Sequence, residues 1–74
     1  MLVKFETYCD GNYLCARGIG VDIFTHGKTL DELMAHIREA VELHLADEIE
    51  KGQTIRILSL SEAEVGSVAQ VSGF

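Results

Sequence analysis

Seventy-four residues, 47% of them apolar, make one small domain, and a chain of this size buries only about 60% of the surface its unfolded form exposes. Twelve acidic residues against six basic ones leave a net charge of −6, which argues against direct nucleic-acid binding, where Lys and Arg on phosphates supply much of the affinity. No apolar run approaches the ~20 residues a membrane-spanning helix needs, MLVKFETY lacks the basic region and apolar core of a signal peptide, and Cys9 and Cys15 alone make no disulfide framework; the expected compartment is the cytoplasm.

In chain order, Leu2 to Tyr8 alternates, with Val3, Phe5 and Thr7 on one side and Leu2, Lys4, Glu6 and Tyr8 on the other, the pattern of a half-buried strand. Cys9-Asp10-Gly11-Asn12 supplies a turn, because Asp-Gly and Gly-Asn tolerate positive φ. Tyr13 to Arg17 then completes a hairpin, Gly18-Ile19-Gly20 loosens the backbone, and Val21 to Thr25 forms a third strand ending at His26-Gly27. Two registers are open. A two-residue turn pairs Thr7 with Ala16 and Glu6 with Arg17; a three-residue turn pairs Thr7 with Cys15 and gathers Val3, Phe5, Tyr13 and Cys15 on one face. A one-residue slip moves every side chain to the other face.

The strongest local signal follows. Thr29 stands three residues before Glu32, the spacing of a capping box in which the threonine hydroxyl accepts from a first-turn N–H and the glutamate reaches back to the cap's own N–H. Asp31 and Glu32 put negative charge at the positive end of the helix dipole. Leu30, Met34, Ile37, Val41, Leu45 and Ile49 recur at steps of three and four, widened by Leu33, while Arg38, Glu39, Glu42, Asp47 and Glu50 fill the other faces. Gly52 is a natural stop. The spacing predicts one helix of about 22 residues, roughly 33 Å long. Ile55 to Leu60 reads as a fourth strand, so residues 1–60 are expected as the domain and 61–74 as a tail or weak edge strand.

One helix covers one face of a sheet, yet the strands carry apolar residues on both. In the second register Tyr8, Leu14 and Phe24 share the uncovered face, and rows of such side chains in water are usually interaction surface. These three are the candidate partner-contact residues, and self-association is the expected consequence.

Asp10-Gly11-Asn12-Tyr13, then Thr25-His26-Gly27-Lys28-Thr29-Leu30-Asp31-Glu32, then Glu39-Ala40-Val41-Glu42-Leu43, together resemble the HicB family, the antitoxins of a toxin–antitoxin pair that are also met as short solitary proteins. The resemblance spans about two-thirds of the chain and rests on the order and spacing of short elements. It implies an α+β domain of β-β-β-α-β order, a partial ribonuclease-H-like layer of sheet and helix, and it favours the second register with Tyr13 and Cys15 facing the helix. The family's proline-containing linker is replaced here by Gly18-Ile19-Gly20-Val21-Asp22, and His26 stands where a glutamine is usual. Fourteen residues follow Leu60, too few for the operator-binding module of full-length members. What the resemblance implies for partners is therefore homo-oligomerisation and a small basic HicA-type ribonuclease toxin, not DNA. A solitary scaffold or regulatory, ligand-binding subunit with no toxin is the alternative.

Catalytic, cofactor and metal sites are not expected. Glu32/His36 and His44/Glu48 are i,i+4 pairs, but no two histidines share ligand spacing on the helix. Cys9 and Cys15 read as buried or half-buried thiols, with nothing to bring His26 beside them. Asp10 and Asp31 already have turn and helix-start roles, and Gly18 and Gly20 make no phosphate-binding motif.

Overall fold

In the computed structural model, which describes residues 1–61, alternation over the first residues produces β1 (Leu2–Asp10), turned back on itself to β2 (Tyr13–Ile19) by Gly11-Asn12. Gly11 takes φ 64°, and a glycine first in a two-residue turn is the II′ pattern that matches strand twist. β3 (Phe24–Gly27), α1 (Leu30–His44), α2 (Ala46–Glu50) and β4 (Arg56–Ser61) follow. The fold is a small α+β domain: one four-stranded mixed sheet in the order β3-β2-β1-β4, with β4 parallel to β1 inside the same subunit and the other pairs antiparallel. Ser61, expected in the tail, ends β4; the tail assignment for the later residues, 62–74, lies outside the described residues.

The hairpin adopts the two-residue register, Thr7 opposite Ala16 and Glu6 opposite Arg17. The register implied by the family resemblance is thereby overturned: Tyr13 and Cys15 face away from the helix, and Leu14, expected on the uncovered face, lies on the helix side, half-buried against the core. The physical reason lies in side-chain size. Beneath the helix β2 presents Leu14 and then Ala16 and Gly18, the last two small enough for close approach, and Ala16 is fully buried. Gly18 allows more than backbone freedom. A Cβ there would strike the Val21 carbonyl oxygen and come within 2.6 Å of its Cγ1. Val21 to Ile23 is not strand but a tight loop, closed by Gly18 N–H to the Ile23 carbonyl (2.8 Å) and Ile23 N–H to the Val21 carbonyl (3.0 Å).

Thr29 caps α1, its hydroxyl accepting from the Glu32 N–H at 3.1 Å. The Glu32 carboxylate reaches one residue further back than expected, to the Lys28 N–H at 3.0 Å. The expected single helix bends at Leu45 (φ −114°, ψ 29°), which divides it into α1 and α2. Gly52 stops it as expected: at φ 90° its N–H reaches the Ile49 carbonyl and the Gln53 N–H reaches that of Glu48, both 3.0 Å, the paired bonds of a Schellman motif. The core holds Val3, Phe5, Ala16, Ile23, Leu33, Ile37 and Val41. Burying side chains such as Phe5, Leu33 and Ile37 contributes roughly 1.5–3 kcal/mol each.

Candidate interaction surface

Register fixes what the helix leaves uncovered. Paired residues share a face, so the row Phe24–Arg17–Glu6–Leu60 crosses all four strands on the far side of the sheet. Beside it lie His26–Cys15–Tyr8 and Ile19–Lys4–Leu58, with Tyr13 at the hairpin end and Leu2 opposite Arg56. Leu2, Tyr8, Tyr13, Ile19, Phe24, Leu58 and Leu60 on this face are all exposed, Phe24 to 57%. The Arg17–Glu6 ion pair sits at the centre with both side chains in water, so it contributes at most about 1 kcal/mol to stability and serves to keep the patch close to neutral.

Of the three expected contact residues, Tyr8 and Phe24 lie on this surface and Leu14 does not. Leu2, Ile19, Leu58 and Leu60 belong to it without having been singled out from sequence. The signal for the last two was the alternation of IRILSL; which strand would lie beside them was not in the sequence.

On the same face Cys15 stands directly opposite His26, a juxtaposition that sequence reasoning did not supply. It does not make an activated thiol. No hydrogen bond joins the two among the described residues, and the His26 ring instead meets Tyr13 edge-on at 5.1 Å. Burial pushes the Cys15 thiol above its ordinary pKa, and the nearby Asp10 and Cys9 push it the same way, so the neutral form is favoured. A nucleophilic cysteine requires the opposite shift. Cys15 is buried as expected, but Cys9, on the helix side near the hairpin end, is exposed rather than buried or half-buried; it lies on the opposite face from Cys15, and both are free.

The helical histidine pairs part company. The Nδ1–H of His36 donates to the His26 backbone carbonyl at 2.6 Å, and Glu32 is committed to Lys28, so Glu32 and His36 do not meet. The break at Leu45 puts His44 in the last turn of α1 and Glu48 in α2, and among the described residues no salt bridge joins them. Among the described residues, no three His, Cys, Asp or Glu side chains converge closely enough to hold a metal ion.

On the helix side, α1 lies over β2 and β3 and leaves β4 beside an open groove whose apolar lining includes Val41, Ile49, Ile55 and Ile57, with Arg38 and Glu42 at its rim. No helix among the described residues is long and apolar enough to cross a membrane. Compared with protein-family models, curated proteins and solved structures, the chain matches none.

Proposed function

We propose that this chain is a non-catalytic, HicB-like protein-interaction module that associates with itself through the far face of its sheet. The observation that carries the reading is the contiguous set of exposed apolar side chains around a neutralised Arg17–Glu6 pair. Such a set in water is costly to leave bare. Charge favours the same reading. The far face mixes Lys4, Arg17 and Arg56 with Glu6 and Asp10, so two copies meet there without like-charge repulsion. The acid is concentrated instead on α1 and α2, at Asp31, Glu32, Glu39, Glu42, Asp47 and Glu50 among others. A small basic protein of the HicA toxin type is the heterologous partner that this helical surface suits.

Phe24→Asp tests the face. Sedimentation velocity is expected to show loss of association with helix content retained, whereas Leu43→Asp, at a position 83% exposed on α1, leaves association unchanged. Equal behaviour of the two variants would reject the far face as the contact. A ligand-binding regulatory subunit remains the second reading, because the apolar groove beside α1 and α2 measures about 740 Å³, within the range of small-molecule sites.

A further inference from the structure

A sheet of four strands has two edges, and this one treats them differently. β3 is only four residues long, and the carbonyl of His26, which points outward from the edge, is already taken by the His36 ring. Among the described residues, 1–61, the β4 edge has no such cover. Arg56 N–H donates to the Met1 carbonyl at 2.8 Å and the Leu60 carbonyl accepts from the Thr7 hydroxyl at 3.1 Å, which places Arg56, Leu58 and Leu60 toward β1. Strand geometry then directs the N–H and C=O groups of Ile57, Ser59 and Ser61 away from the sheet. Natural edges are blunted by Pro, Lys, bulges or inward-pointing charge. β4 has none of these, and its one charged side chain, Arg56, is its first residue.

We propose that β4 pairs antiparallel with β4 of a second copy, about a two-fold axis perpendicular to the sheet, to make one continuous eight-stranded sheet. The inference rests on the self-association reading and adds a second contact, at the sheet edge, distinct from the far-face contact, which the seam itself leaves uncovered. Faces must match across the seam, so opposed residues have equal parity. The register that uses the whole edge sets Ser59 against its own copy and Ile57 against Ser61 as hydrogen-bonded pairs, with Leu58 against Leu60 on the far face. The leucines of the two copies thereby join the exposed apolar surfaces into one. Electrostatics permit the approach. β4 carries no acidic side chain, its one charge being Arg56, and α1 packs chiefly against β2 and β3, the two copies of β2 being separated by five strand spacings, about 24 Å at ~4.8 Å each.

Amide hydrogen exchange of the full chain, followed residue by residue at concentrations below and above its association midpoint, tests the seam. The Ile57, Ser59 and Ser61 amides are expected to slow on the order of 100-fold on association, while Leu58 and Leu60, bonded to β1, are slow throughout. Ser59→Pro removes an outward N–H, together with the hydroxyl that donates to the Met34 sulfur at 3.7 Å, and is expected to abolish pairing with Leu58 protection intact. If that variant loses Leu58 protection, β4 itself has been disturbed and exchange in the unaltered chain decides alone. Fast outward amides in an associated protein would overturn the edge pairing and leave the far face as the contact. A chain that stays monomeric would overturn both.

Discussion

A methyl group on Gly27 would sit 2.6 Å from the Leu33 amide nitrogen and 3.0 Å from its Cα, both backbone atoms that cannot swing aside. This glycine sets how closely the first turn of α1 approaches β3, and Gly27→Ala is expected to cost about 1–3 kcal/mol in chemical denaturation, as overpacking does. Cys15 shows the complementary case, a small residue closed in on a face that is otherwise open, with only 3% exposure. A neutral maleimide at neutral pH is expected to label Cys9 promptly and Cys15 only on unfolding. Because folding raises the Cys15 pKa, its protonated form is the one the native state favours. That contribution is complete below the ordinary thiol value and is lost as pH rises past it toward the folded value, so stability measured by denaturation is expected to fall at alkaline pH. A Cys15→Ser variant with the same alkaline loss would assign it elsewhere.

At the level of elements, Thr29→Ala is expected to cost about 1 kcal/mol through the lost cap, measured as a shift in denaturation midpoint at constant slope. Signals of this kind were legible because they act within one turn of chain: Thr29 with Glu32, Gly11 in the hairpin, Gly52 at the helix stop. What was not legible depends on distant partners. The bend at Leu45 has no glycine or proline to announce it. The hairpin register turned on whether Ala16 and Gly18 or Tyr13 and Cys15 would lie beneath the helix, which the residues alone left open and the family resemblance resolved toward the second pair. Close packing of α1 on β2 decided otherwise. Leu14 moved to the helix side with that choice, while Tyr8 and Phe24, fixed on the far face by strand alternation and cross-strand pairing, remained.

Over the whole molecule, helix and sheet divide the surface into two chemistries. The helical side carries most of the acid and an apolar groove; the far side carries aromatic and aliphatic residues with nearly balanced charge. A domain this small has little core to spare, so apolar area left in water on the far face is stabilising only when something covers it. On the proposed reading another copy of the chain would cover it, the far-face charges being nearly balanced, and a basic partner would have the opposite side to itself. Sedimentation equilibrium of the unaltered chain over a wide concentration range at physiological salt tests this most directly. Average mass is expected to climb from that of one chain to a dimer or a larger closed assembly; a single-chain mass at every concentration would contradict the account.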